Sequence, residues 1–316
     1  MYLESFGLRI PPFSMASDPA MLFLSSAHRE ALAGLCYGLL DRKGFLVILG
    51  QAGTGKTTLL RRAIQALPAG RLQFATIYNP TLSPAEFLES VLLGFGVTDI
   101  PPTKPQRLMK LQDQLLDLQT DEIIATLVID EAHKLSPELL EEVRLLGNLE
   151  NRAKKMLQLV LAGQSDLGRI LNREDLLQLK QRIAVRLTLR PLTRTEVTDY
   201  IRYRWVRAGG SPDVPFSPAA LELVERFSHG IPRVVNAICD TALLAVFGEQ
   251  GRMVEPKHVI QSCTDLDLME LPTEAAPPKE FQTRPAAAKA MPPRNGNGDG
   301  QRNLWGKWTG WLREAS

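Results

Sequence analysis

The 316 residues are 44% hydrophobic and 23% charged, enough apolar side chain for a large core and an ordinary balance for a chain that folds in water. The net charge is only +2, and residues 270–316, with 7 Lys+Arg against 5 Asp+Glu, hold that excess. A global electrostatic pull toward nucleic acid or anionic lipid is thereby excluded, and any basic patch on the body must come from local clustering.

Residues 1–40 read as a leader punctuated by Pro11, Pro12 and Pro19, followed by a helix over 28–40 with Ala31, Leu32, Leu35 and Leu39 on one face. An apolar run at 45–49 stops at Gly50, and comparable runs recur at 73–78, 123–129, 157–162 and 185–189. Such runs mark strands buried on both faces of a parallel sheet. Helical patterns at 57–66, 84–93, 106–118, 137–149 and 174–181 separate them. Residues 41–191 are therefore expected to form an α/β domain, a five-stranded parallel sheet with helices on both faces, and 1–40 to pack on it. After Pro191 the alternation stops. Helices at 196–208, 218–228, 233–247 and 255–263 predict a small α-helical domain over 192–269, with Thr193-x-x-Glu196 as a capping box and Ser217-Pro218 as cap and first helical residue.

Residues 270–301 are rich in Pro, Ala, Gly and Asn and read as disordered linker. In 302–316, Trp305, Trp308 and Trp311 recur every three residues with Arg302, Lys307 and Arg313 interleaved. That pattern suits a membrane surface or a groove on a partner protein, the alternative being a tail packed on its own domain. Cys36, Cys239 and Cys263 lack metal-ligand spacing and fall among apolar residues, as small core side chains in a reducing compartment do. The opening MYLESFGLRIPPF has no charged start before a long apolar run, and no stretch reaches about 18 uninterrupted apolar residues. The expected location is the cytoplasm, with the inner membrane face as a peripheral option.

GQAGTGKT at 50–57 matches G-x-x-x-x-G-K-[ST] completely, after a strand and before a helix. In Gly50, Gln51, Ala52, Gly53, Thr54, Gly55, Lys56, Thr57 and the following Thr58, glycines let the backbone curl so that N–H groups point at phosphate oxygens. The next helix adds its positive end. Lys56 is placed for the β- and γ-phosphates of ATP and Thr57 for Mg²⁺. LVIDEAH at 127–133 ends a buried strand in Asp130, which would hold Mg²⁺ through water, and Glu131, which would polarise an attacking water. His133 has two readings, a reporter of nucleotide state or a packed histidine. Gln164, after the apolar run at 157–162, either touches the γ-phosphate or caps a helix. Arg182 before the last strand, with Arg186 as second choice, could project into a neighbouring subunit's site; the bland reading is a solvated arginine at a helix end. Arg233 lies in a helix's first turn, where the helix dipole disfavours a cation, and that placement points to an anionic partner.

Together these strings resemble the AAA+ ATPases, and within them the ExeA/GspA group. The likeness spans about residues 1–268 and includes the leader, GQAGTGKT, LVIDEAH, NLENRAKKMLQLVLAGQSDL, LKQRIAVRLTLRPLT and FSHGIPRVVNAICD. It implies an oligomerising ATPase with Arg182 as finger, Gln164 as first sensor, Arg233 as second sensor, and the leader near the adenine. Longer members continue into a membrane-spanning helix and a peptidoglycan-binding domain; neither is read here, so a direct cell-wall role is not expected. The expected role is assembly of an envelope-associated secretion, pilus or exopolysaccharide system. Two alternatives are a DNA-binding ATPase regulating transposition, with the basic clusters Arg61-Arg62, Arg152 to Lys155 and Arg202 to Arg207 on phosphates, and a nucleotide-gated scaffold with little turnover. A DEAH helicase is disfavoured, because a helical domain stands where its second RecA-like domain would begin.

Overall fold

The computed structural model describes residues 2–269, apart from 69, 79, 152 and 153; the linker and the tryptophan-rich segment lie outside the described residues. Five strands form one parallel sheet: β1 (Phe45–Gly50), β2 (Leu72–Ile77), β3 (Ile124–Ile129), β4 (Leu157–Gly163) and β5 (Ile183–Leu189), in the order β2-β3-β4-β1-β5. Every residue of β1, β3 and β4 is buried, as the uninterrupted apolar runs require for strands covered on both faces. The order places β4 between the strands that carry the glycine-rich loop and Asp130. All three therefore end at the same edge of the sheet, where ligands of open parallel sheets bind.

Helices α1 (Ser26–Leu40), α2 (Lys56–Ala66), α3 (Pro84–Gly94), α4 (Lys104–Thr120), α5 (Pro137–Leu146) and α6 (Ser165–Ile170) cover this sheet. The α4 helix begins two residues before its expected start because Pro105 takes a first-turn position, where its missing N–H costs nothing. The stretch at 174–181 is a 3₁₀ turn followed by a single α-helical turn, Leu177–Lys180, and α5 ends at Leu146, three residues before its expected end, ahead of a short antiparallel pair, Glu150–Asn151 with Lys154–Lys155. The helical domain comprises α7 (Arg194–Arg207), α8 (Pro218–Ser228), α9 (Pro232–Gly248) and α10 (Pro256–Asp265), with both expected cap signals formed at Thr193 and Ser217. All three cysteines are buried and free, and burial pushes the Cys36 thiol up to about 12.

The leader packs differently from the expectation that residues 1–40 sit on the α/β domain. Tyr2, Leu8 and Phe13 are buried in the helical domain's core beside Val197, Trp205 and Ile238, whereas α1 packs on β5 and the turn Pro19–Met21 on α2 of the α/β domain. A Pro-rich segment has no periodicity to reveal which core will take it. Polar contacts from the helical domain fix the choice: Arg204 Nε donates to Pro12 O at 2.5 Å and Nη2 to Ser14 O at 3.3 Å, and Asn236 Nδ2 donates to Ser14 O at 3.4 Å. Arg204→Ala is expected to lower stability by about 3 kcal/mol, because Pro12 O loses its buried donor, Ser14 O keeps only Asn236 Nδ2, and the packing of the guanidinium stem is lost. The shift of the urea midpoint measures this; a loss below about 1 kcal/mol would show that the carbonyls find water instead.

Candidate functional site

The loop after β1 curls as its glycines allow. Gly53 and Gly55 hold φ of +81° and +94°, in the left-handed region, and a Cβ on Gly53 would stand 2.7 Å from the Arg233 Cβ. The lid helix thus rests on the loop, and the Arg233 N–H donates to Gly53 O at 3.3 Å. Lys56 is 5% exposed and donates to Gly50 O at 2.9 Å and Gln51 O at 3.1 Å. Burial lowers the pKa of its ammonium and Arg233 adds in the same direction, against opposing contributions from Glu131 and Asp130. A buried cation satisfied only by carbonyls is a good receptor for an anion. Thr57 Oγ1 donates to Asp130 Oδ2 at 2.7 Å, and Asp130 Oδ1 accepts from the Glu131 N–H at 2.9 Å. A hydroxyl and a carboxylate in contact are the hard oxygen donors that Mg²⁺ takes.

Glu131 occupies a left-handed conformation, φ +51° and ψ +34°, unusual for a non-glycine and set by the tight turn Ala132–Lys134. Its carboxylate lies 3.7 Å from His133 Nε2 and 3.6 Å from Lys134 Nζ. Gln164 takes the cap position of α6 but its side chain does not cap the helix; its backbone N–H donates to His133 Nδ1 at 3.4 Å.

A cleft of about 480 Å³ lies between loop, leader and lid. Ala52 to Thr58 and Glu131 line one side, the leader from Ser14 to Asp18 another, and Tyr200, Arg204, Arg233 and Asn236 the lid side. Arg182 lies elsewhere. It precedes β5, whose Ile183 pairs with Phe45 while Leu189 pairs with Gly50, so a seven-residue strand separates it from the loop, roughly 20 Å at about 3.3 Å per residue. Its guanidinium donates to Arg144 O at 3.3 Å. Arg186 is exposed at mid-strand opposite Val47, with its side chain against Gly168. Three of the arginines considered for DNA engage the leader. Arg61 donates to Ser17 O, Arg207 to Ala20 O, and Arg204 is buried.

One contributor was not apparent from the sequence. His28, 2% exposed, lies 2.7 Å from Ser25 Oγ through Nδ1 and 3.0 Å from Thr54 O through Nε2. A carbonyl only accepts, so Nε2 carries the proton and Nδ1 accepts from the Ser25 hydroxyl. The ring props the phosphate loop from beneath, and the Ser25-x-x-His28 cap spacing was its only trace in the sequence. Burial depresses the His28 pKa below its ordinary 6.5. Below that value the unfolded chain binds a proton that the folded chain does not, so His28's contribution is full above pH 6.5 and is lost as pH falls toward the depressed folded value. Urea midpoints should therefore drop between pH 7 and pH 5, and His28→Gln should flatten that drop; an unchanged slope would contradict the assignment. Glu196 does not confuse this window. Burial alone would raise its pKa, but hydrogen bonds from the Thr193 backbone, Arg190 and Ser26 bring it down to about 2, so its stabilisation is full above the ordinary carboxyl value of 4.5 and fades as pH falls from there toward about 2.

The sequence matches the family model described as AAA domain over residues 40–171. It is 43% identical over 262 residues to the General secretion pathway protein A of Aeromonas hydrophila, an alignment that covers 80% of this chain. The chain spans just under half of that relative, 46% of its length. Among solved structures, a Cdc6p from Pyrobaculum aerophilum superposes with a TM-score of 0.63 at 18% identity, covering 83% of this chain and 74% of that one. The Aeropyrum pernix ORC2 protein gives 0.60 at 16%, covering 83% and 72%, and the Thermotoga maritima RuvB branch migration motor 0.52 at 18%, covering 79% and 74%. At such identities these structures establish the fold alone. By sequence and fold the chain belongs to the AAA+ family, as an ExeA/GspA-like member.

Proposed function

We propose that the cleft binds ATP with Mg²⁺ and hydrolyses it, and that the chain works as an oligomer with nucleotide at its subunit interfaces. The observation that carries this reading is Lys56, a buried ammonium held by two loop carbonyls, beside the Thr57–Asp130 pair and beneath Arg233. The loop N–H groups, Lys56 and Arg233 would hold the phosphates; Thr57, and Asp130 through water, would hold Mg²⁺. When bound, Mg²⁺ offsets phosphate charge and draws electron density from the bond that breaks. Glu131 would accept the proton of the attacking water, and Gln164 would sense the γ-phosphate. The leader and Tyr200 would flank the base. Arg182 cannot reach the cleft of its own chain across a strand's length, so in this reading it serves a neighbour as the finger.

The relative named for general secretion supports a role at an envelope-associated secretion, pilus or exopolysaccharide assembly, with the chain at the cytoplasmic face of the membrane. Among the described residues no helix is long and apolar enough to cross a membrane. A partner protein or membrane surface for the Trp305–Trp308–Trp311 segment belongs to the same reading. A DNA-binding role draws no support from Arg61, Arg204 and Arg207, which hold the leader. Phosphate release with ATP and Mg²⁺ tests the proposal, and turnover per chain should rise with protein concentration. Turnover independent of concentration down to the lowest measurable level would contradict the shared site.

A further inference from the structure

We propose that His133 is a positioning residue for Glu131, fixing its carboxylate against the end of β4 and thereby coupling the backbone of Gln164 to the group assigned above as general base. The inference rests on that assignment of Glu131 and adds the residue that sets its place.

The imidazole lies between two segments that different strands deliver. Its side chain is 12% exposed, with Nδ1 3.4 Å from the Gln164 N–H and Nε2 3.7 Å from Glu131 Oε2. A backbone N–H can only donate, so Nδ1 is the bare nitrogen and the ring proton sits on Nε2, the atom that faces the carboxylate. The two nitrogens therefore act differently. Nδ1 registers where the Gln164 peptide is, and Nε2 presents a donor to Glu131. At 3.7 Å that donor faces the carboxylate without closing on it, and a shift of under about 1 Å would bring it to hydrogen-bond distance.

Two further features fit this role. The β4 end approaches the turn closely because Gly163 has no side chain; a Cβ there would stand 3.3 Å from the His133 backbone nitrogen. Glu131 has its backbone pinned in the left-handed region, so its carboxylate is placed by side-chain rotation alone and needs an external contact to select one rotamer. Lys134 is 54% exposed on a long flexible stem, whereas the imidazole is planar, enclosed and tied to β4. A small displacement of Gln164 as it meets a phosphate would thus reach Glu131 through one rigid ring. A histidine serving only to fill space would need neither nitrogen.

The test compares His133→Phe, which fills the space without either contact, with His133→Gln, which keeps an amide donor and acceptor. His133→Phe is also placed in a Glu131→Gln background. The Phe variant should lower kcat about 10-fold, because a sub-ångström misplacement of a catalytic group carries such a cost. Its KM and equilibrium ATP affinity should stay within about twofold. The Gln variant should recover at least about a third of the lost turnover, and His133→Phe should change nothing further when Glu131 is already Gln. Wild-type kcat in the Phe variant overturns the proposal, as does a loss expressed in KM, a Gln variant no better than Phe, or losses that multiply in the double variant. Should the Phe variant not fold, His133→Asn keeps the acceptor but withdraws the donor from Glu131. It should lose kcat similarly, and wild-type turnover in it overturns the proposal. Glu131→Gln alone reports separately on the general base: normal turnover there rejects that assignment whatever the His133 series shows.

Discussion

Replacing Glu131 by Gln is expected to lower ATP turnover about 100- to 1,000-fold while ATP affinity stays within about twofold. The range follows from general-base catalysis, which contributes about 10² to 10⁴; Gln keeps the size and hydrogen-bonding reach of Glu but cannot take a proton. Affinity should survive because the groups proposed to bind nucleotide are elsewhere: Lys56, Thr57 and Asp130 make their contacts without the Glu131 carboxylate. The backbone should also survive, since the left-handed φ of +51° is imposed by the turn and Gln tolerates it no worse than Glu. Single-turnover hydrolysis and an equilibrium titration of ATP separate the two effects. Normal turnover in the variant would move the proton acceptor to another group, and lost affinity would make Glu131 a binding residue.

Lys56→Ala should act in the opposite way, removing binding itself. Two charge-assisted contacts to phosphate are worth about 1.5 kcal/mol or more each, which converts to a rise in ATP Kd of about 100-fold or more. The same substitution takes the ammonium from Gly50 O and Gln51 O, the latter keeping the Thr54 hydroxyl at 2.8 Å, so a modest fall in melting temperature should accompany it. A Kd within about threefold of wild type would mean that the loop N–H groups and Arg233 carry the phosphate unaided. The two variants thus divide the cleft into a part that holds nucleotide and a part that uses it.

Much of this was legible in the sequence, for reasons that can be named. Apolar runs ending at Gly50 and Asp130 identified buried strands because a strand covered on both faces tolerates no polar alternation. The glycine spacing of the loop is imposed by its backbone geometry, and the Thr193–Glu196 box formed because both of its hydrogen bonds are local. Contacts between segments far apart in the chain left no such trace. The leader's union with the helical domain depends on Arg204 meeting Pro12 and Ser14 across about 190 residues, and nothing near either end announces the pair. His28 was hidden in a helix read only through its Ala31, Leu32, Leu35 and Leu39 face. Helix α6, only six residues long, is too short to show a period. Arg182 was identified from its position before the last strand, but only the strand register places it at the edge opposite the loop.

A nucleotide site completed by a neighbouring copy of the chain is probed best by subunit complementation. Arg182→Ala and Glu131→Gln chains, each assayed alone for phosphate release, should be nearly inactive. Mixed in equal amounts at a concentration that supports assembly, they should regain measurable turnover, since some interfaces then join an intact Glu131 to an intact Arg182. Full activity of Arg182→Ala by itself, or a mixture as inactive as its components, would contradict a site shared between subunits.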